Sequence, residues 1–191
     1  MKKESILIAV VALIVGFLGG YLIGTMSSAG RPMQEAPGIP AGAGSPTDYA
    51  RRIAEGEKIV ARDPKNLNAW ISLGNDYFDT EQAQKAINAY GKALEIQPNN
   101  PNVLTDQGVM FRKIGWYDKA IANFEKAQKI EPNHLQSLYN MGIVYGMDMK
   151  QPDKALAIWN QYLKYDPNSA TATQIRGMME MMGPGTKPAK Q

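Results

Sequence analysis

The chain has 191 residues, a formal net charge of +3, one histidine and no cysteine. Because cysteine is absent, disulfides, thiol nucleophiles and cysteine-bound metal clusters are excluded, and one histidine cannot form a multi-histidine metal site. The excess positive charge lies near the two ends, since acidic and basic side chains balance between residues 47 and 182, and this distribution argues against a nucleic-acid partner, which requires a basic folded surface.

The first predicted element is a transmembrane helix. Residues 6–26 contain no charged side chain, and a helix of this length spans about 31 Å, which matches the hydrocarbon core of a bilayer. Lys2 and Lys3 precede this segment, so the positive-inside rule places the N-terminus in the cytoplasm. We therefore expect residues 1–26 to form an uncleaved signal anchor in the cytoplasmic (inner) membrane, with the rest of the chain facing the periplasm or exterior.

Two features of this anchor leave alternatives open. A cleavable signal peptide is the competing interpretation, because small residues at positions 27–29 offer a cleavage site after Ala29, but the apolar run is longer than the core of most signal peptides. Gly16, Gly20 and Gly24 fall on one helix face, which favours packing against a second copy or another membrane protein, although glycine is common in membrane helices generally.

Residues 27–46 are predicted to be a linker. They are rich in glycine, proline and alanine and contain few large apolar side chains. Such a segment cannot bury a core and behaves as a flexible tether.

From residue 67 onwards the chain repeats with a period of 34 residues. Each unit predicts two amphipathic helices joined by a short turn, with a small residue where the helices cross. A helix pair cannot bury both of its faces, so the units are expected to stack into an all-α solenoid. A one-residue insertion between Gly146 and Pro152 shifts the second half of the third unit. The recurring positions are Gly74, Gly108 and Gly142; Tyr77, Phe111 and Tyr145; Ala86, Ala120 and Ala155; Tyr90, Phe124 and Trp159; and Pro98, Pro132 and Pro167.

This pattern resembles the tetratricopeptide repeat (TPR), in which W-x2-L-G-x2-Y is followed by A-x3-F and a closing proline. The predicted repeats are residues 67–100, 101–134 and 135–169. The second departs from the pattern at Leu104 and Gln107, and the third at Leu138, Met141 and Tyr162. The first matches throughout, as Trp70, Leu73, Gly74, Tyr77, Ala86, Tyr90, Ala93 and Pro98.

The solenoid is predicted to be capped at both ends. Residues 47–66 resemble the second half of an earlier repeat, and Ile53, Ile59 and Val60 are expected to pack against the first full unit. Residues 170–182 are predicted to form a C-capping helix, and residues 183–191 a disordered tail.

The resemblance implies a concave groove, lined by the first helix of each repeat, that holds an extended peptide or a partner helix. The amide-rich and apolar character of these positions suits peptide backbone groups and side chains. The alternative is that some of them only fill space between repeats. The groove positions implied are Asn68, Ile71, Asn75, Phe78, Asn102, Thr105, Val109, Arg112, Gln136, Tyr139 and Ile143.

One TPR subclass binds the C-terminal carboxylate of chaperones through a clamp of lysine, arginine and asparagine. Only Asn75 matches that clamp, and its other four positions are Ile71, Asp106, Gln136 and Asn140. A clamp without a cation cannot compensate the desolvation of a carboxylate, so this function is excluded.

The C-terminal methionines and the histidine have competing interpretations. Thioethers are soft Cu(I) ligands, so a Met-rich periplasmic copper-binding or copper-delivery protein is the alternative function. The simpler expectation is that Met178, Met181 and Met182 seal the last repeat. His134 is expected to be a solvated loop residue. The methionines in question are Met147, Met149, Met178, Met179, Met181 and Met182.

The sequence contains no phosphate-binding loop and no nucleophile motif, so we expect neither catalysis nor a cofactor. The combined prediction is a membrane-tethered TPR scaffold that binds a partner protein. This architecture is similar to that of bacterial envelope TPR proteins, including accessory subunits of c-type cytochrome maturation, and the resemblance implies that pathway as one candidate.

Overall fold

The computed structural model describes residues 46–182. The predicted transmembrane helix with its glycine face, all but the last residue of the predicted linker, and the predicted tail lie outside these residues. Within the described part, no helix combines the length and apolar character needed to cross a bilayer.

Residues 46–182 form eight α-helices and no strand. Helices that follow each other in the chain contact each other, so the helices stack in sequence order as antiparallel pairs. The all-α solenoid predicted from the repeat period is therefore the fold of this part of the chain. The helices are α1 Pro46–Arg62, α2 Leu67–Asp79, α3 Ala83–Ile96, α4 Pro101–Lys113, α5 Tyr117–Ile130, α6 Leu135–Ile143, α7 Pro152–Tyr165 and α8 Ala170–Met181.

A side-chain cap begins the first helix of each repeat and the final helix. Asn66, Asn100, His134 and Ser169 each accept the backbone N–H of the residue three positions later. This bond satisfies one of the four backbone donors that a helix N-terminus leaves unpaired, and such a cap stabilises a helix by about 1 kcal/mol. The caps recur with the repeat period and fix where each first helix starts.

A glycine and an aromatic ring meet where the two helices of each repeat cross. A Cβ atom added to Gly108 would lie 2.5 Å from Cε1 of Phe124, far inside van der Waals contact. The ring therefore occupies the space that any larger residue would need, which explains the recurrence of glycine at this position. The pairs are Gly74–Tyr90, Gly108–Phe124 and Gly142–Trp159.

The additional residue of the third repeat lies in a π-helical segment, Val144–Asp148, that continues α6. The backbone N–H of Met149 donates to the carbonyl oxygen of Val144, five residues earlier, at 2.9 Å. A π-turn accommodates one extra residue without breaking the helix. The insertion predicted between Gly146 and Pro152 is thus absorbed by the end of the first helix, and the turn that follows keeps its length.

In all three repeats, that turn has a residue with a left-handed backbone conformation at the same position. Glu81, Gly115 and Lys150 occupy equivalent positions and have φ angles of 61°, 79° and 55°. Only glycine adopts this conformation without steric cost, so the second repeat has the residue best suited to the turn.

Helix α1 packs against the first repeat as the predicted N-terminal cap. Val60 is buried in the core and Ile53 packs against it. The expectation for Ile59 was wrong, because its side chain is 46% exposed. Ile59 and Val60 are neighbours on a helix and point about 100° apart, so only one of them faces α2.

Replacement by alanine is predicted to have opposite effects on stability at two helical glycines, one at the crossing of α4 and α5 and one in α8. Gly108→Ala should lower the free energy of unfolding by about 1–3 kcal/mol, because the methyl group overlaps the Phe124 ring. Gly177→Ala, in α8, has no atom within 4 Å of the added carbon and should raise it by up to about 1 kcal/mol. Urea unfolding followed by helical circular dichroism measures both, and equal effects would show that the crossing is not tightly packed.

Candidate functional site

The inner surface of the repeats is formed by the first helices. Helix α2 contacts α4, and α4 contacts α6, so these three helices lie side by side. The side chains that the sequence assigns to the groove fall into three classes there. Asn68, Asn75, Asn102 and Gln136 are exposed; Ile71, Phe78, Val109, Arg112 and Tyr139 are partly buried; Thr105 and Ile143 are buried.

The two buried positions are not available to a ligand and correct the predicted groove. Thr105 has no exposed surface, and its hydroxyl donates to the carbonyl oxygen of Pro101 at 2.8 Å. Ile143 belongs to the core formed by the third repeat and α8. Both side chains fill space between helices, which is the alternative that the sequence left open for the groove positions.

An open depression of about 730 Å³ lies at the C-terminal ends of α2 and α4. Its apolar part includes Phe78, Val109 and Tyr117. Its charged part consists of two cations, Arg112 and Lys113, and three carboxylates, Asp79, Glu81 and Asp148. The depression therefore joins all three repeats and combines apolar surface with an excess of one negative charge.

Both cations of the depression are bound to carboxylates of the neighbouring repeats. Arg112 forms a two-point ion pair with Asp148, in which Nη2 lies 3.3 Å from Oδ1, and both side chains are partly buried. Lys113 Nζ lies 2.9 Å from Glu81 Oε1. Among residues 46–182, no lysine or arginine pairs with Asp79, the third carboxylate of the depression.

Asp106 does not line this depression but is close enough to Asp79, which does, for the two charges to interact. It is also without a cation among the described residues. Its Oδ1 accepts a long hydrogen bond of 3.4 Å from Gln136 Nε2. Burial raises the pKa of Asp106 to about 6, and the negative charge of Asp79 adds to this effect, while the bond from Gln136 opposes it. The carboxylate is thus held in a place that disfavours its charge.

Tyr90 lies at the helix crossing of the first repeat, within the electrostatic influence of both carboxylates. Its hydroxyl donates to Asn75 Oδ1 at 2.9 Å, and burial together with the charges of Asp106 and Asp79 raises its pKa far above the usual value. Asn75 is a predicted groove residue, so the crossing of the first repeat positions a groove amide directly. Sequence reasoning did not identify Asp79 or Asp106 as site residues, although both lie one position after a predicted groove residue.

His134 is not a solvated loop residue, and that expectation was wrong. Its side chain is 7% exposed and caps α6, with Nδ1 accepting the N–H of Ser137. This bond places the ring proton on Nε2, which donates to Asn102 Oδ1 at 2.9 Å. Burial lowers the pKa of His134 below its usual value. The histidine therefore joins the third repeat to a groove residue of the second.

The C-terminal methionines belong to the core for the most part. Met178 and Met179 are buried among the apolar residues of the third repeat and α8, and Met182 packs against them. Met181 is 76% exposed, so its predicted role in sealing the last repeat was wrong and Met179 has that role. Among residues 46–182, no group of three histidine or carboxylate side chains is arranged to hold a metal ion.

Three family models match consecutive parts of the chain. A model described as TPR repeat matches residues 74–109, and models described as tetratricopeptide repeat match residues 102–134 and 136–169. Among curated proteins, the general transcriptional corepressor trfA of Dictyostelium discoideum is 33% identical over 72 residues. These residues are 37% of this chain and 5% of trfA, so the chain spans only a small part of that relative.

Solved structures with the same fold are similar over most of the described part. The crystal structure of MamA matches with a TM-score of 0.63 at 20% identity, covering 71% of this chain and 83% of MamA. A tetratricopeptide repeat protein from Parabacteroides merdae matches with a TM-score of 0.64 at 19% identity, covering 71% and 54% of the two chains. At these identities the likeness establishes the fold and carries no information about partners.

The capping histidine predicts a pH-dependent stability. Because the folded state lowers the pKa of His134, the unfolded chain binds more protons near the usual histidine range, and stability is lost as the pH falls below about 6.5. His134→Asn keeps a capping side chain of the kind found at Asn66 and Asn100 but cannot titrate, so as the pH falls the parent should lose stability relative to this variant, while the titration of Asp106 affects both proteins alike. Thermal unfolding between pH 7.5 and 5.5 measures the difference.

Two outcomes test this account of His134. His134→Ala removes the cap and should cost about 1 kcal/mol at neutral pH. Identical pH profiles for the parent and His134→Asn would show that protonation of this ring is not linked to folding.

Proposed function

We propose, from the premise that this chain is a tetratricopeptide repeat protein, that it binds an extended segment of a partner protein along the inner surface of α2, α4 and α6. Tetratricopeptide repeat proteins are generally scaffolds without enzymatic activity, and we propose the same for this chain. The observation that carries the proposal is the arrangement of exposed amides beside partly buried apolar side chains on that surface.

The exposed amides suit an extended backbone. Asn68, Asn102 and Gln136 occupy the same position in successive repeats, so their side chains recur at the spacing of the stacked helices. A side-chain amide both donates and accepts, and a segment without secondary structure presents unpaired N–H and C=O groups that it must satisfy when it leaves water. A row of amides can provide those partners along the length of the surface.

The apolar side chains between the amides supply the contact area. Ile71, Phe78, Val109 and Tyr139 are partly buried in the repeats and retain some exposed surface. A few such anchors commonly provide most of the binding free energy, while surrounding polar contacts set register. The depression beside Phe78 and Val109 offers a concave site for a side chain of the partner on this surface.

We also propose that the domain is tethered to the cytoplasmic membrane by residues 1–26 and faces the periplasm or exterior. The support is the uncharged run at residues 6–26, with Lys2 and Lys3 before it. In this arrangement Gly16, Gly20 and Gly24 would offer a packing face to a second copy. A tethered binding surface concentrates its partner at the membrane, which suits assembly of an envelope complex, and c-type cytochrome maturation is the pathway that we propose to test first.

Photo-crosslinking in intact cells tests the binding surface. A photoreactive residue at Asn75, exposed on α2, should crosslink the partner, because this position faces the proposed groove. The matched control places the photoreactive residue at Lys126, which is exposed on α5, the second helix of the second repeat. This position lies outside the proposed groove and should give no such product. Products identified by mass spectrometry as apocytochromes or haem-attachment proteins would support the maturation pathway.

Other outcomes separate the parts of the proposal. Crosslinks from Asn75 to secretion, pilus or cell-wall proteins would keep the binding surface and overturn the pathway. Equal products from Asn75 and Lys126 would show that the inner surface is not the binding site.

Cysteine accessibility tests the membrane orientation. The chain contains no cysteine, so Ser45→Cys provides a single thiol between the proposed anchor and α1. A membrane-impermeant maleimide should label this thiol in spheroplasts with an intact inner membrane. Labelling that requires disruption of the inner membrane would overturn the proposed orientation.

A further inference from the structure

On the inner surface, the cations of the depression have ion-pair partners, whereas two nearby carboxylates have none within the described part of the chain. The cations of the depression, Arg112 and Lys113, are held by Asp148 and Glu81. The carboxylates Asp79 and Asp106 have no lysine or arginine partner among residues 46–182. These two carboxylates therefore remain without a cation from the described residues, whereas each cation of the depression already has a carboxylate partner.

The polar groups around these carboxylates do not replace a cation. Asp79 accepts one hydrogen bond, from the hydroxyl of Tyr49 at 3.2 Å. Asp106 accepts the 3.4 Å bond from Gln136, and the nearby Tyr90 hydroxyl is committed to Asn75. A carboxylate can accept about four hydrogen bonds, so both groups retain capacity for a donor from a ligand.

The geometry points to a specific partner chemistry: we propose that the inner surface selects an extended segment carrying a lysine or arginine, whose cationic group binds between Asp79 and Asp106. This inference rests on the function proposed above and names the class of partner. The apolar stem of such a side chain would lie against Phe78 and Val109, which border the same depression as Asp79. Charge complementarity thus selects the partner and the depression orients it.

An acidic partner fits this surface poorly. It would have to compete with Asp148 for Arg112 or with Glu81 for Lys113 before it gained a cation, and it would meet the charges of Asp79 and Asp106. Breaking a partly buried ion pair leaves a charge that is only partly compensated by water, which is unfavourable. A basic segment requires no internal pair to open.

Proton binding supports the same inference. Because the pKa of Asp106 is about 6, this carboxylate is mostly charged at neutral pH and mostly neutral at pH 5. A cation competes with the proton for the same group, so affinity for a basic segment falls as the pH is lowered through this range.

Selection from a random dodecapeptide library displayed on phage tests the inference with the full chain in a non-ionic detergent. Peptides that the parent protein enriches should carry a lysine or arginine at a fixed distance from an apolar residue. Substituting glutamine for that cation in a fluorescent copy of the best peptide should weaken binding about tenfold in an anisotropy assay, which is the size expected for one partly desolvated charge pair.

Matched double variants separate the site from general electrostatics. Asp79→Asn with Asp106→Asn should weaken binding of the basic peptide about tenfold and abolish its dependence on pH between 5 and 7. Asp118→Asn with Glu125→Gln makes the same change in net charge at exposed positions of α5 and should leave affinity within about twofold.

Each remaining result has a definite meaning. Enriched peptides without a basic preference, bound equally by both double variants, would overturn the inference and leave the peptide-binding function standing. No enrichment over a control selection against the chain with Asn75→Arg would overturn the binding surface itself.

Discussion

The close crossing of helices at Gly74, Gly108 and Gly142 is the contact on which the rest of the structure depends. The facing rings of Tyr90, Phe124 and Trp159 fill the volume beside each glycine, so neither residue can change size alone. This contact fixes the angle within each helix pair and therefore the direction in which the next repeat stacks. It also reaches the proposed binding surface, because the Tyr90 hydroxyl at the crossing donates to the side-chain oxygen of Asn75.

The fold could be predicted from the sequence because each repeat contains the same local signals for helix formation and helix packing. Helix starts, small crossing residues and closing prolines recur with one period, so three copies of a weak signal support one another. Burial of single residues was less predictable, because it depends on neighbours in the next repeat. His134 looked like a turn residue along the chain, yet the second repeat supplies Asn102 and Thr105 around it and makes it a buried cap.

The candidate site was predictable in outline and not in its charges. Repeat offsets identified the exposed amides, but an offset cannot show which acids and bases pair across repeats. The pairing of Arg112 with Asp148 depends on the π-helical segment of the third repeat, since the extra residue extends α6 by one position before its turn. Because this segment could not be predicted from the sequence, neither could the ion pair of Arg112 with Asp148. The two carboxylates without a cation partner among the described residues, Asp79 and Asp106, could therefore not be recognised either.

An unpaired carboxylate on this surface lowers the stability of the free protein. The folded state raises the pKa of Asp106, so the folded chain binds more protons than the unfolded chain between the usual aspartate pKa and about 6, and stability decreases as the pH rises through this window. A sequence selected for stability alone would place an asparagine or a cation there. This unpaired charge accords with the proposed basic partner, since a cation supplied by that partner would restore in the complex the stability that the free domain lacks.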